Sequence, residues 1–183
     1  MLTEAEIIKG CCEGDRMMQR TLYDRYSGAM LMVCARYSKN RDDAEDILQE
    51  SFIKVFKGIE DFRGHSTLGY WIKKIVVNTA LNYHRSKLYL FPMVEIDDAN
   101  YNSLSDPIIE NYTLEELLKI IRTLPIGCQV IFNLYAIEGY KHREIANMLD
   151  VSLGTSKSQY ARARGLLQQM VSHANSINYE KFQ

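Results

Sequence analysis

From residue 15 to residue 84, apolar side chains return every three or four positions. No stretch of the chain alternates apolar and polar residues as a half-buried strand requires. Met18, Leu22, Tyr26, Met30, Val33 and Tyr37 share one face of a helix that Asp15 can cap. A shorter helix over residues 3–13 precedes it and closes near Gly14. Asn40 ends the long helix. Asp42 can cap the next, whose inward face carries Ile47, Leu48, Phe52, Val55, Phe56 and Ile59. After a loop at 61–66, Ser66 can cap a helix to about residue 87, with Trp71, Ile72, Ile75, Val76, Thr79 and Tyr83 inward. The period predicts an all-α chain.

The pattern breaks over 88–112, which holds Pro92, Pro107 and three asparagines. Thr113 and Glu116 have capping-box spacing, so helices resume there. Pro125 opens another helix that ends at Gly139. Residues 141–149, a tight turn and a last helix over about 153–173 follow. The expected architecture is two small helical domains, 1–88 and 113–175, joined by an acidic linker at 89–112 and followed by a frayed tail at 176–183. The second domain contains a helix-turn-helix.

Charge is sorted along the chain although the net charge is only −1. Asp42, Asp43, Glu45, Asp46, Glu50, Glu60 and Asp61 crowd one segment. Residues 62–94 contain no acid, and residues 95–116 contain acids but no Lys or Arg. Residues 139–173 turn basic again. Blocks of this kind point to separate surfaces with separate partners. The 183 residues include no run of about 20 apolar residues, so no membrane insertion is expected. The start, MLTEAEIIKG, is acidic and does not read as a secretory signal, which makes the cytoplasm the expected location. Cys11, Cys12, Cys34 and Cys128 have no CxxC spacing and read as reduced, mostly buried thiols. Four scattered histidines predict no metal site, and no cofactor motif is present. With no Gly-rich phosphate loop and no nucleophile–base spacing, an enzyme is not expected.

Two constellations carry a function. In KHREIANMLDVSLGTSKSQYARAR, residues 141–164, Ile145, Ala146 and Leu149 form one apolar face. A short turn follows, Val151 dips inward, and Ser152 can cap a second helix. Ala146 is small where two helices would cross, which is helix-turn-helix arithmetic. The second helix is expected to expose Lys157, Ser158, Gln159, Arg162 and Arg164, and it has no acid. Such a helix suits the major groove, though a solvated basic helix of an ordinary bundle would look similar. In GHSTLGYWIKKIVVNTALNYHRSK, residues 64–87, Asn78 and Asn82 share a helical face, with Arg85 near it and Lys74 one turn behind. Amides and cations on an acid-free face suit single-stranded nucleic acid. Trp71 is read as core.

DAEDILQESFIKVFKGIEDFRGHSTLGYWIKKIVVNTALNYHRSK resembles region 2 of an extracytoplasmic-function (ECF) sigma factor, a group within the sigma-70 family. EIANMLDVSLGTSKSQYARAR resembles the region 4 helix-turn-helix of the same group. The resemblance spans nearly all of residues 5–170. It implies that the helix around Asp46 to Phe56 docks on core RNA polymerase, with Asp46, Gln49, Glu50, Ile53 and Lys54 as contacts. It implies −10 promoter DNA contacts at Arg63, His65, Ser66, Lys74, Asn78, Asn82 and Arg85, Asn78 helping to hold a flipped base. It implies −35 contacts at Ser152, Thr155, Lys157, Ser158, Arg162 and Arg164, and an anti-sigma factor as a further partner.

Some positions depart from the family pattern. Asp150 stands where a turn glycine is common and is expected to tolerate a left-handed backbone. Ser156 replaces a frequent Val, which turns a hydroxyl toward the helix interface, where it is expected to bond back to a carbonyl one turn earlier. His65 and Asn82 replace frequent acids. The acidic linker reads either as a nucleic-acid mimic in the polymerase cleft or as a soluble spacer. The alternative to a sigma factor is a stand-alone helix-turn-helix regulator of duplex DNA, which leaves the acid-free helix without a role.

Overall fold

The computed structural model describes the backbone of residues 2–90 and 113–180, and the side chains of residues 2–84, 113 and 115–171. Among these residues every regular element is helical. The chain divides into two compact units, residues 1–84 and 85–183. The expected linker at 89–112 lies outside the described residues, apart from its first two positions, which continue a helix.

Unit 1 begins with α1 (Glu4–Cys12), whose capping box is closed by Thr3 and Glu6. The Thr3 N–H donates to Glu6 Oε2 at 2.8 Å, and this bond holds the Glu6 carboxyl below its ordinary range. Gly14, at φ +77°, turns the chain. Asp15 then caps α2 (Arg16–Tyr37) by accepting the Met17 N–H at 2.7 Å. Helices α1 and α2 approach so closely at Gly10 that a Cβ there would lie 2.3 Å from Met18 Cγ and 2.8 Å from its Cβ.

Helix α3 (Arg41–Gly58) packs against α2. Its cap is Asn40, which accepts the Asp43 N–H at 2.7 Å, and not Asp42 as expected. Asn40 has the extended backbone a cap needs, while Asp42 lies in the first turn, where the helix dipole favours a carboxylate. A 3₁₀ turn, Ile59–Asp61, ends α3. Helix α4 (Leu68–Leu90) starts one residue later than expected, because Thr67 and not Ser66 caps it. Thr67 Oγ1 accepts the Tyr70 N–H at 3.3 Å, and the Thr67 carbonyl accepts the Trp71 N–H. Ser66 Oγ instead donates to the Thr67 carbonyl.

The core of unit 1 joins Leu22, Tyr37, Ile47, Val55, Ile72 and Val76, all fully buried. Ala80 and His84 continue it along α4. The His84 Nε2 meets the Tyr37 carbonyl oxygen, which can only accept, so Nε2 carries the proton. Trp71 is half-buried and leans on Phe62, with ring centroids 5.5 Å apart. Cys11, Cys34 and Cys128 are buried and Cys12 is exposed, all four as free thiols. Burial pushes the Cys34 thiol up to about 12, which removes its reactivity at neutral pH.

Unit 2 opens on α5 (Leu114–Thr123), capped by the Thr113–Glu116 box as expected. Helix α6 (Ile126–Phe132) follows Pro125 and widens into a π segment at Asn133–Ile137. There the Glu138 N–H reaches the Asn133 carbonyl at 2.9 Å, and Gly139, at φ +80°, ends the run. Helix α7 (His142–Leu149) and helix α8 (Leu153–Glu180) complete the unit. Leu124, Cys128, Ala163 and Leu167 form its core, with Ile120, Phe132 and Leu166 packed around them.

Replacing Gly10 by Ala tests the α1–α2 crossing. The added methyl overpacks the contact with Met18, so Gly10→Ala lowers the stability of unit 1 by roughly 1–3 kcal/mol. Urea unfolding followed by the fluorescence of Trp71, the single tryptophan, measures this. An unchanged midpoint would show that Met18 yields freely.

Candidate nucleic-acid interface

Helix α4 carries a row of exposed polar residues. Tyr70, Lys74, Asn78 and Asn82 recur at intervals of four, and all four side chains are exposed. Leu68, Ile72, Val76, Val77, Ala80 and Leu81 bury the opposite face and fix the row outward. Tyr70, 56% exposed, extends the face by a turn beyond the residues expected from sequence. Its spacing from Lys74 was the available signal. The loop before α4 places Arg63, His65 and Ser66 in solvent, turned by Gly64 at φ +70°. Arg85 lies on α4, but its side chain is outside the described residues.

The neighbouring helix ties two of its acids beside this row. Tyr83 Oη donates to Asp43 Oδ1 at 2.7 Å, and that bond raises the Tyr83 phenol above its ordinary range. Lys54 Nζ donates to Glu50 Oε1 at 2.6 Å and to Thr79 Oγ1 at 3.3 Å. Two carboxylates of α3 are thereby occupied next to the α4 face. On the outer side of α3, Asp46, Gln49, Glu50 and Ile53 are exposed, Ile53 to 54%. Lys54, also expected among the contacts, is half-buried, and its ammonium bridges α3 and α4.

In unit 2 the turn between α7 and α8 is made by Asp150 in the left-handed conformation, φ 55° and ψ 50°. The Val151 N–H reaches the Ala146 carbonyl at 3.0 Å. Ile145 and Ala146 are buried where the helices meet. Ser152 caps α8 by accepting the Thr155 N–H at 2.9 Å, and its hydroxyl also meets Thr155 Oγ1 at 2.8 Å.

The exposed face of α8 is narrower than its composition implied. Lys157 is exposed, and Arg162 and Arg164 are half-buried. Ser158 and Gln159, expected outside, retain 8% and 5% exposure, and Thr155 retains 6%. Helices α5, α6 and α7 all pack on α8, so its buried arc is wide. The Gln159 Oε1 accepts from Cys128 Sγ at 3.1 Å, and Ser158 Oγ donates to the Thr155 carbonyl at 3.2 Å. The Ser156 hydroxyl bonds across to His142 Nδ1 at 2.9 Å, not back to its own helix as expected.

Residues 22–88 match the family model for Sigma-70 region 2, and residues 114–167 match that for Sigma-70, region 4. The ECF RNA polymerase sigma-E factor of Haemophilus influenzae is 32% identical to the chain, covering 93% of it and 96% of the relative. That of Escherichia coli K12 is 30% identical, covering 89% and 91%. A structure of the sigma factor RpoE of Bartonella quintana in complex with the anti-sigma factor NepR superposes with a TM-score of 0.53 at 21% identity, covering 84% of this chain and 96% of that one. The chain belongs to the sigma-70 family, in its ECF group. It is a DNA-binding transcription initiation factor.

Among the described residues no helix is long and apolar enough to cross a membrane, and no group of three or more His, Cys, Asp or Glu is placed to hold a metal ion.

The left-handed Asp150 yields a stability test. Asp150→Ala loses a residue suited to that conformation and destabilises unit 2 by about 1 kcal/mol, whereas Asp150→Gly does not. Hydrogen exchange of α7 amides checks it, and equal protection in the two variants would show that the turn carries no such constraint.

Proposed function

We propose that unit 1 docks on core RNA polymerase through the outer face of α3 and melts the −10 element with α4. On this reading Asp46, Gln49, Glu50 and Ile53 meet polymerase, and Lys54 acts from behind, holding Glu50 against Thr79. The loop residues Arg63, His65 and Ser66 lead the separated strand onto the row Lys74, Asn78 and Asn82, with Arg85 beyond. Cations follow the backbone, and amides read exposed base edges. Asn78 helps hold an extruded base, whose unstacking costs a few kcal/mol that pocket contacts must offset. The observation that carries this reading is the acid-free exposed row of α4, beside which Asp43 and Glu50 of α3 are hydrogen-bonded.

Unit 2 then reads the −35 element with α8. Lys157 and Arg162 face DNA, Arg164 binds phosphate, and Ser152, Thr155 and Ser158 set the first turns of the helix. Residues 89–112 serve as the acidic linker between the domains 1–88 and 113–175, and residues 176–183 as a tail. The chain performs no chemistry of its own. Binding energy separates the strands, and polymerase makes the RNA. An anti-sigma factor is the expected regulator and the cytoplasm the expected location.

Run-off transcription with core polymerase and a promoter library tests the reading. The protein should confer initiation on a subset of promoters; tight duplex binding alone, with no initiation gained, would favour the stand-alone regulator. Asn78→Ala should lower permanganate reactivity of −10 thymines by roughly tenfold, the worth of one base contact, while core binding stays unchanged. Arg162→Ala should weaken −35 use and reduce the salt slope of binding by about one. An unchanged slope would remove the phosphate or groove contact from Arg162.

A further inference from the structure

The π segment of unit 2 has a consequence at the helix-turn-helix. One widened turn re-aims the side chains that follow it, and such segments recur at functional positions. Here it lays the ring of Tyr135 against that of His142, with centroids 4.2 Å apart and planes 14° from parallel. Tyr160 of α8 meets Tyr135 at 4.5 Å and closes on the His142 ring at 5.7 Å and 63°. His142 is the first residue of α7, and its Nδ1 lies 2.9 Å from the hydroxyl of Ser156 on α8. Ser156 is fully buried and stands next to Lys157, the exposed cation of that helix.

One imidazole therefore touches three elements, and its single side-chain hydrogen bond to α8 falls beside a residue assigned to DNA. Ser156 needs that bond, because a fully buried hydroxyl left unpaired is costly.

We infer that His142 is a positioning residue for −35 recognition, setting α8 against α7 through Ser156, and that it does so in its neutral form. The inference rests on α8 being the −35-reading helix. The groups that face the ring are Tyr135 from the π segment and Ser156, Lys157 and Tyr160 from α8, with Lys141 and Arg143 beside it on α7. Burial, and after it the Lys157 ammonium, hold the imidazole below its ordinary value of 6.5. The Tyr135 face offers a cation some compensation, which limits the shift without reversing it. The folded ring is thus harder to protonate than the unfolded one. Its contribution is present above about pH 6.5, begins to fall as the unfolded chain binds the proton first, and is lost once pH drops through the lower value of the folded ring. A proton on the ring also sets a second cation beside Lys157. Use of the −35 element should weaken in mild acid while strand capture by α4, in the other unit, does not.

The test uses holoenzyme assembled from core polymerase and the full chain. Its affinity is measured for a promoter fragment selected from a random library, and for the same fragment with the −35 element scrambled. The ratio of the two affinities should fall roughly threefold or more between pH 7.5 and pH 5.0 in the unaltered protein, with the fall setting in only below pH 6.5. In His142→Gln, whose amide can still serve Ser156 but does not titrate, the ratio should stay level. The exposed His65 is unchanged in that variant and cancels from the comparison. The same decline with pH in both proteins overturns the inference. If His142→Gln has already lost −35 dependence at pH 7.5, the His142 imidazole titration in the full chain decides by NMR: a midpoint at or above 6.5 overturns the inference, and a lower one supports it. Absence of −35 dependence in the unaltered protein at pH 7.5 sinks the reading of α8, and with it the positioning role, while core-dependent initiation still tests unit 1 separately.

Discussion

The contact on which unit 1 depends is the polar seam between α3 and α4. Apolar burial alone would press these helices together without deciding where their charges lie. Tyr83–Asp43 and Lys54–Glu50–Thr79 decide it. Each tie sits next to one of the two exposed asparagines: Thr79 follows Asn78, and Tyr83 follows Asn82. The seam thus pairs Glu50 with a cation, ties Asp43 to Tyr83, and fixes the register of the exposed α4 row against α3. An exposed Lys–Glu pair contributes little to stability. Its role here is to place charge, and a net charge near zero becomes two surfaces of different character.

The same division of labour recurs in unit 2. Helix α8 is held by α5, α6 and α7, and among its described residues that packing leaves few side chains in solvent. Ser152, Thr155 and Ser158 spend their hydroxyls on the start of the helix. A helix held this firmly keeps its cations at defined positions, which lowers the entropy lost when they meet a partner.

Much of this was legible in the chain. The three-to-four-residue period marked each long helix, and the pairs Thr3–Glu6 and Thr113–Glu116, with Asp15, fall where helices begin. The errors have a common cause. Asn40 and Asp42, or Ser66 and Thr67, are capping side chains close together, and the choice between them rests on which backbone stays extended after the helices dock. Ser158 and Gln159 look like surface residues by type, and only the number of helices packed on α8 turns them inward. The π segment left no mark in the sequence, so the pairing of His142 with Ser156 could not be anticipated. Tyr70 could have been found by counting back four residues from Lys74. The row on α4 was read because amides and cations on an acid-free helix are unusual, and that signal survives any error in the exact start of the helix.

The row on α4 also acts as a ruler. Tyr70 to Asn82 is twelve residues, or about 18 Å of helix axis at 1.5 Å per residue. Its marks are four residues apart, slightly more than one turn, so the row winds slowly round the helix. Inserting one residue between Lys74 and Asn78 would rotate everything beyond it by about 100° and carry both asparagines off the face. The chemistry of each mark can drift by single substitutions. The spacing between the marks cannot, because it is written in the pitch of a helix whose other side is the core of the domain.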